Sequence, residues 1–208
     1  MGKVAVINCG LGNIQSVFNA VSRVSDNVQL VDSASELLSL NVDRVILPGV
    51  GAVGRSLKHL RENGFETALR TKIVEDAVPF LGICVGMQVL ATTCLEFGVH
   101  DGLNLIPGTV RKFTQEGAVI KLPHVGWNQV HHTNDSHRSK NIGGSDFYFV
   151  HSYYFDCEPE FVIAKTNYEI DFPSMIGKEN IFGVQFHPEK SSKSGEKLLS
   201  CFINNGSL

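Results

Sequence analysis

Short apolar runs alternate with segments of helical periodicity along the first half of the chain. The runs are rich in Val, Ile and Leu without polar alternation, which is typical of strands buried on both faces of a parallel sheet. The predicted strands are Lys3–Asn8, Val28–Val31, Asp43–Leu47 and Val78–Ile83. The predicted helices are Ile14–Val24, a brief helix capped by Ser33 or Ser35, Leu57–Glu75 with a break near Asn63-Gly64, and Gly86–Glu96.

The second half has a different pattern, in which short β-rich runs are separated by turns. These runs occupy Gly108–His132 and Phe147–Gln185, and a final helix is predicted from Ser191 to Asn204. The predicted turns are Glu116-Gly117, Gly143-Gly144 and Asp171-Phe172-Pro173. Runs joined in this way indicate antiparallel strands. The predicted fold class is therefore α/β: one domain, residues 1–208, with a central mainly parallel sheet, helices on both faces and an antiparallel β appendage.

Composition and charge narrow the class of protein. Of 208 residues 43% are hydrophobic, and 18 Lys and Arg against 21 Asp and Glu leave a net charge of −3. This balance argues against a nucleic-acid binder and against a disordered chain. There is no apolar run of membrane-spanning length, the N-terminus lacks the apolar core of a signal peptide, and five scattered cysteines without a C-x-x-C pair indicate reduced thiols. We expect a cytoplasmic enzyme.

The sharpest local feature is Gly82-Ile83-Cys84-Val85-Gly86, directly after a predicted strand. G-x-C-x-G is the thiol counterpart of the G-x-S-x-G turn that presents a nucleophile at a strand end. A helix beginning here favours the thiolate form, and the Val85 N–H could stabilise an oxyanion. Cys84 is therefore the candidate nucleophile. A small buried core residue is the alternative interpretation.

A base for this thiol is expected in Phe186-His187-Pro188-Glu189. The strand is predicted to end at His187, because Pro188 cannot continue the pairing. In an extended chain the side chains of His187 and Glu189 point the same way, so Glu189 could orient the imidazole. Taken alone, the motif is equally compatible with a surface turn.

Pro48-Gly49-Val50-Gly51 follows another predicted strand and should lie at the same sheet edge. Its glycines would let the Val50 N–H point toward an oxyanion, although a simple strand–helix turn explains them too. Gly10-Leu11-Gly12-Asn13 does not match a dinucleotide-binding fingerprint. The stretch containing His131, His132 and His137 is predicted to be a solvated loop, so no metal and no cofactor is expected.

These motifs together carry a family resemblance. Gly82–Gln88, Leu47–Gly51 and Gln185–Glu189 resemble segments of class I, triad-type glutamine amidotransferases. Other segments are similar to those of glutaminase subunits of imidazole glycerol phosphate synthases, enzymes of histidine biosynthesis. They are Gly102–Gly108, Pro123–Asn128 and Tyr148–Tyr153. The resemblance runs essentially end to end, and several motifs in the right order are more specific than any one.

The resemblance implies a role for each residue of the candidate site. Cys84 is the nucleophile, His187 the base and Glu189 the residue that orients it. The oxyanion donors are the backbone amides of Val50 and Val85, and glutamine is held by Gly51, Gln88, Glu96 and the backbone of Ser152 and Tyr153. Because Glu96 follows Gln88 by eight residues, we expect both on one face of a single helix.

The resemblance also implies a partner. Glutaminases of this kind release ammonia into a (β/α)₈-barrel synthase subunit, with which they form a heterodimer that makes imidazole glycerol phosphate and AICAR. Trp127 and Lys190 match positions used at that contact. Neither a nucleic acid nor a membrane is an expected partner.

Three other functions remain open at this stage. A paralogous glutaminase could supply ammonia for amidination of a surface-polysaccharide sugar. A stand-alone cysteine hydrolase would lack Gln88 and the segment Pro123–Asn128, and both are present. A non-catalytic binding subunit would have lost Cys84, His187 or Glu189, and all three are intact.

Overall fold

The computed structural model describes residues 2–8, 10, 13–114, 120–133 and 144–208. Within these ranges the strands are β1 (Val4–Ile7), β2 (Val28–Val31), β3 (Arg44–Gly49), β4 (Phe80–Cys84), β5 (Thr93–Cys94), β6 (His100–Asp101), β7 (Thr109–Lys112), β8 (His124–His132), β9 (Ser145–His151), β10 (Tyr153–Asp156), β11 (Val162–Tyr168), β12 (Ile170–Lys178) and β13 (Ile181–Val184). The α-helices are α1 (Ile14–Ser22), α2 (Ala34–Ser39), α3 (Val53–Glu62), α4 (Phe65–Arg70), α5 (Val85–Gln88) and α6 (Ser192–Asn205). A π-helical turn, Thr71–Glu75, continues α4, and Pro159–Phe161 and Pro188–Lys190 are 3-10 turns.

Five strands form the parallel half of a nine-stranded sheet, in the order β2-β1-β3-β4-β13. Every pairing among them is parallel. All residues of β1, β4 and β13 are buried, as expected for strands covered on both faces. The four strands predicted in the first half of the chain are confirmed, with small shifts at their ends.

The same sheet continues through β12, β11, β8 and β9, and these pairings are antiparallel. A second sheet has the order β10-β7-β5-β6 and is antiparallel except between β5 and β7. The predicted fold class is therefore confirmed. In the described part of the chain, the antiparallel strands extend the central sheet rather than forming only a separate unit.

The helices form two packed groups. Helix α1 contacts α6, whereas α2 and α3 both contact α4. Ser33 caps α2, as one of the two predicted alternatives: its Oγ accepts a hydrogen bond from the Glu36 N–H at 3.2 Å. The carboxylate of Glu36 in turn accepts one from the Asp32 N–H at 2.9 Å, which fixes the start of the helix. None of the described helices is long and apolar enough to cross a membrane.

The predicted helix Gly86–Glu96 is wrong beyond its first turn. Helix α5 ends at Gln88, and the chain enters β5, which contains Cys94. The backbone carbonyls of residues 89–91, which a helix would use internally, accept hydrogen bonds from N–H groups of residues 103–105 at 2.8–2.9 Å. A Cβ on Gly102 would lie 1.9 Å from the Ala91 carbonyl oxygen, so this approach requires glycine. Long-range pairing has replaced local helical pairing.

Two further predictions of local structure are wrong. Asp171-Phe172-Pro173 lies inside β12, and the chain reverses instead at Glu169, with φ of 61°. Proline has no N–H to donate to a neighbouring strand. Pro173 is compatible with β12 because the pairing of β12 with β13 begins only at Met175. His131 and His132 end β8 rather than lying in a loop.

Some predictions fall outside the described residues. They concern the turns at Glu116-Gly117 and Gly143, the loop residue His137, and Cys9, Leu11 and Gly12 of the first strand–helix connection.

Candidate active site

Cys84 lies on a strained turn at the carboxyl end of β4. Its φ and ψ angles are 55° and −109°, a conformation that residues other than glycine rarely adopt. A Cβ on Gly82 would lie 2.3 Å from the Gly86 carbonyl oxygen, and one on Gly86 would lie 1.9 Å from the Leu47 carbonyl oxygen. Glycine is therefore required at position 82 for the turn to close on itself and at position 86 for the turn to pack against β3. The turn predicted from the G-x-C-x-G pattern is present.

His187 and Glu189 form a buried pair. His187 Nδ1 lies 2.7 Å from Glu189 Oε1, and the two side chains are 1% and 0% exposed. The predicted route to this contact is wrong, because β13 ends at Val184 and Glu189 belongs to the 3-10 turn Pro188–Lys190. The turn, rather than an extended chain, brings the carboxylate to the ring.

A local hydrogen-bond network holds the histidine backbone. The His187 N–H donates to the Tyr148 carbonyl at 2.9 Å, and the Ser191 hydroxyl donates to the His187 carbonyl at 2.6 Å. The same hydroxyl accepts from the Tyr148 N–H at 3.0 Å. The Asn13 side-chain amide donates to Glu189 Oε1, the oxygen that also faces the imidazole. Strand β9, α1 and the 3-10 turn thus converge on one ring.

The charge state of His187 follows from its neighbours. Burial alone lowers the pKa of His187, but hydrogen bonding and charge interactions with Cys84 and Glu189 outweigh burial and raise that pKa to about 10. At neutral pH the imidazole therefore carries the proton. By contrast, burial raises the pKa of the Cys94 and Cys157 thiols to about 12, which keeps both protonated and unreactive.

The nucleophile turn faces a cleft with an empty volume of about 370 Å³. Its lining residues are Val50, Gly51, Cys84, Val85, Gln88, Glu96, Val150, His151, Ser152, Tyr153 and His187. Apart from Glu189, which supports His187 from behind the ring, every residue predicted for catalysis or glutamine binding lines this one cleft. Gly49 pairs with Cys84 across β3 and β4, so the Val50-Gly51 loop and the nucleophile turn are neighbours.

Polar groups from distant segments of the chain meet in the same cleft. Gln88 Nε2 donates to the Tyr153 carbonyl at 3.1 Å and to Gln185 Oε1 at 3.0 Å. Glu96 Oε2 accepts from the Val53 N–H at 2.6 Å. The expectation that Gln88 and Glu96 share a helix face is wrong, yet both reach the cleft because the loop after β5 returns Glu96 to it.

Two residues next to the catalytic groups were not predicted from the sequence. Asn13 contacts Glu189, and Gln185 Nε2 lies 3.7 Å from Cys84 Sγ. Gln185 lies two residues before His187 in the family motif Gln185–Glu189, so the sequence contained a signal that could have identified it as a site residue. Asn13 was not, because its partner is 176 residues away.

The residues predicted for the partner contact lie together on the surface. Trp127 is 54% exposed, and its ring is 6.3 Å from that of Tyr148 in an edge-on arrangement. Lys190 Nζ lies 5.8 Å from the centroid of the Tyr148 ring. We call these three residues the Trp127 surface. Tyr148 also bonds the His187 backbone, so this surface is directly connected to the catalytic pair.

Comparison with known proteins agrees with this geometry. The family model for glutamine amidotransferase class-I matches residues 5–205. The imidazole glycerol phosphate synthase subunit HisH of Herpetosiphon aurantiacus is 42% identical over 96% of this chain and 93% of the relative. HisH of Moorella thermoacetica is 43% identical over 97% of this chain and 94% of the relative. HisH of Archaeoglobus fulgidus is 41% identical over 97% of this chain and 98% of the relative. The chain belongs to the class I glutamine amidotransferases, within them to the HisH family.

Solved structures support the fold of this HisH-family chain. A crystal structure of a glutamine amidotransferase superposes with a TM-score of 0.73 at 20% identity and covers 97% of this chain and 98% of its own. A glutamine amidotransferase from Thermotoga maritima superposes with a TM-score of 0.64 at 18% identity, and the match covers 97% of this chain and 82% of that protein. The resemblance inferred from the sequence is thus confirmed at the level of the family.

Proposed function

We propose that this chain is the glutaminase subunit of an imidazole glycerol phosphate synthase in histidine biosynthesis. It hydrolyses L-glutamine to glutamate and ammonia, and a (β/α)₈-barrel synthase subunit uses the ammonia to make imidazole glycerol phosphate and AICAR. The chain acts as a single glutaminase domain of a cytoplasmic heterodimer. HisH relatives at 41–43% identity over nearly the full chain support this assignment.

The observation that carries the glutaminase activity is the cleft in which Cys84, His187 and the Val50–Gly51 loop meet. Cys84 reacts as its thiolate, the nucleophilic form of a cysteine, and the protonated His187 ring in the same cleft stabilises that form. The thiolate attacks the side-chain carbonyl carbon of glutamine, and the carbonyl oxygen becomes an oxyanion that the N–H groups of Val50 and Val85 stabilise. His187 then donates its proton to the amide nitrogen, the C–N bond breaks, and ammonia leaves a glutamyl thioester on Cys84.

Hydrolysis of the thioester uses the same groups in reverse. His187, now neutral, accepts a proton from water, and the hydroxide attacks the thioester carbonyl. The C–S bond breaks, glutamate leaves, and the thiolate–imidazolium pair is restored. Glu189, held by Asn13, keeps the imidazole oriented and stabilises its charge throughout.

Regulation by the partner is part of the proposal. An idle glutaminase would waste glutamine, and the loop that carries Val50 has the freedom to prevent this. Gly51 has a φ of 88°, and a Cβ at this position would meet no atom of the described residues within 4 Å. The Val50 N–H could point away from the oxyanion until docking at the Trp127 surface turns it inward. One oxyanion donor is worth roughly 10²–10³ in rate.

The decisive experiment measures glutamine turnover by the chain alone, with the barrel subunit of the same organism, and with that subunit plus its nucleotide substrate. We expect slow turnover alone and an increase of roughly 10²–10³ in the full system. Trp127→Ala and Lys190→Ala should weaken complex formation or this increase while Cys84 still reacts with iodoacetamide. Full turnover by the isolated chain would exclude the gating step and favour a stand-alone hydrolase.

The acceptor is tested in the same reaction. Formation of imidazole glycerol phosphate and AICAR from the nucleotide substrate is the expected result. Partner-stimulated glutamine hydrolysis without these products would instead assign the ammonia to another acceptor, such as a polysaccharide sugar.

A further inference from the structure

Two buried histidines have no role in the reaction above, although one of them, His151, lines the cleft and the other, His124, contacts His151 from behind. His124 begins β8 and is 3% exposed, and His151 ends β9 and is 6% exposed. The two residues are directly opposite each other in the β8–β9 register. His124 stacks between the rings of Phe149 and Tyr168, with centroid distances of 4.9 and 4.0 Å.

The hydrogen bonds of this pair run in one direction. The Tyr153 carbonyl can only accept, so His151 Nδ1, 2.8 Å away, carries the hydrogen. In a neutral ring His151 Nε2 is then an acceptor, and His124 Nδ1 donates to it at 3.0 Å. His124 Nε2 in turn accepts from the Asn128 side-chain amide at 3.3 Å. The other hydrogen of this amide goes to the Asn167 carbonyl at 2.8 Å.

Both rings are neutral at ordinary pH. Burial lowers the pKa of His151 to about 3, with the charges of His124 and His187 acting in the same direction. Burial also lowers the pKa of His124 to about 4. Neutral rings are what the ordered hydrogen bonds require, so geometry and charge agree on one arrangement of protons.

The chain of contacts continues to the nucleophile. The Tyr153 carbonyl that accepts from His151 also accepts from Gln88 Nε2, which donates its second hydrogen to Gln185 Oε1. Gln185 Nε2 lies 3.7 Å from Cys84 Sγ. Both Gln88 amide hydrogens are used, so only Gln88 Oε1 is left to meet a ligand in the cleft that Gln88 lines.

We infer that His124 and His151 are positioning residues that fix the Tyr153 carbonyl and, through it, the Gln88 amide of the glutamine pocket. They do so by donating along β8 and β9 toward the cleft, and neither exchanges a proton with substrate. The inference rests on the proposed glutaminase function, since it assigns the pocket to glutamine. It predicts that breaking the donor to Tyr153 weakens glutamine binding without disabling Cys84.

The experiment measures glutamine affinity through protection of Cys84 in the isolated chain, where turnover is expected to be slow. Iodoacetamide alkylates Cys84 in the isolated full-length chain, the Cys84 peptide is quantified by mass spectrometry, and protection by L-glutamine gives a Kd. In His151→Phe, which keeps a ring but loses both hydrogen bonds, we expect a Kd about five- to tenfold higher, the effect of one lost hydrogen bond. The alkylation rate without glutamine should stay within about twofold of the wild type.

Two amide substitutions at His124 separate positioning from packing. In His124→Asn the side-chain N–H can replace Nδ1 as the donor to His151, whereas in His124→Gln the carbonyl oxygen can replace Nε2 and the donor is lost. We expect the glutamine Kd to rise in the Gln variant and to remain close to wild type in the Asn variant. This pair keeps the test valid if His151→Phe does not fold.

His131→Phe is the matched control, because His131 lies on the same strand and is exposed. Its Kd should equal that of the wild type. Equal glutamine Kd values in wild type, His151→Phe and His124→Gln would overturn the inference. If L-glutamine gave Cys84 of the wild-type chain no protection from alkylation, this result would instead refute the proposed glutaminase function.

Discussion

The parallel and antiparallel halves of the sheet contribute to the site in different ways. In the parallel half, functional groups follow the carboxyl ends of adjacent strands: Asn13 after β1, Val50 after β3, Cys84 at the end of β4 and His187 after β13. In the antiparallel half, β8 and β9 supply two buried histidines together with Trp127 and Tyr148 of the Trp127 surface, and β10 of the second sheet adds the Tyr153 carbonyl. The proposed reacting groups belong to the parallel half, whereas Tyr153 of the cleft and Trp127 and Tyr148 of the Trp127 surface belong to antiparallel strands.

The difference lies in how each half is specified. A strand-end turn depends largely on residues next to each other: a Cβ on Gly82 would meet the carbonyl of Gly86, four residues on, although Gly86 also admits the backbone of Leu47 on the adjacent strand β3. The antiparallel wall depends on pairs far apart in the chain, such as Gln88 with Tyr153, 65 residues away. Substitutions at the strand ends of the parallel half should therefore abolish glutamine hydrolysis. Substitutions in the antiparallel half should instead weaken glutamine binding, activation by the partner or the stability of the fold.

The largest effect is expected for the nucleophile. Cys84→Ala should abolish glutamine hydrolysis, because no thioester can form, while the assembled complex still makes product from added ammonium. Turnover with glutamine and with ammonium, measured on one preparation, checks both expectations. Cys201→Ser, which changes a thiol of α6 away from the cleft, is the control and should behave as wild type. Residual glutaminase activity in Cys84→Ala would reject the assigned nucleophile.

The catalytic pair should show a graded loss. His187→Asn removes the group that carries the proton and should lower turnover by roughly 10³-fold. Glu189→Gln removes only the charge that orients and stabilises the imidazolium, so its loss should be smaller. Single-turnover rates of both variants in the full complex, at matched thermal stability, make the comparison. A larger loss in Glu189→Gln would reverse the two roles.

Glycine substitutions compare the stability of the two halves. Gly86→Ala would place a Cβ 1.9 Å from the Leu47 carbonyl oxygen, and we expect a loss of about 3 kcal/mol or more in the free energy of unfolding. Gly144→Ala, before β9, would place a Cβ that meets no atom within 4 Å in the part of the chain that the structure describes, and its φ of 75° costs about 1–2 kcal/mol for a residue with a side chain. Urea unfolding of both variants tests the ranking. Equal losses would show that the turn tolerates a side chain.

The histidine pair should make stability fall at acid pH. The folded-state pKa values of His124 and His151, about 4 and about 3, lie below the ordinary 6.5. Below pH 6.5 the unfolded chain binds protons that the folded chain does not, so stability declines until pH approaches these folded values. Each histidine contributes up to about 1.4 kcal/mol per pH unit.

Urea unfolding at pH 7 and pH 4.5 measures this decline. In His124→Asn the loss of unfolding free energy between pH 7 and pH 4.5 should be smaller than in the wild type by the contribution of one buried histidine. In His131→Asn, which changes an exposed residue of the same strand, this loss should equal that of the wild type. An identical decline in wild type and His124→Asn would show that His124 is already solvated or protonated in the folded chain.

Features that depend on neighbouring residues were predictable from the sequence, whereas contacts between distant segments were not. The nucleophile turn and the capped start of α2 were predictable, because each depends on neighbouring residues whose conformational limits are general. The pairing of His187 with Glu189 was predicted for the wrong reason: the residues are two apart, and both an extended chain and a 3-10 turn can bring them together. Glu96 lines the cleft to which it was assigned, but the helix that was expected to bring it there ends at Gln88, and only the family resemblance supported that assignment.

By itself, the sequence determined the α/β class, the parallel strands and the residues at their carboxyl ends, because burial periodicity and glycine turns act over a few residues. Tertiary structure alone decided that residues 89–91 pair with residues 103–105 instead of continuing a helix. It also decided that Asn13 reaches Glu189 and that His124 and His151 meet across two strands. These contacts join residues 13 to 176 positions apart, and hydrogen bonds between such residues depend on the assembled fold, so no local pattern records them.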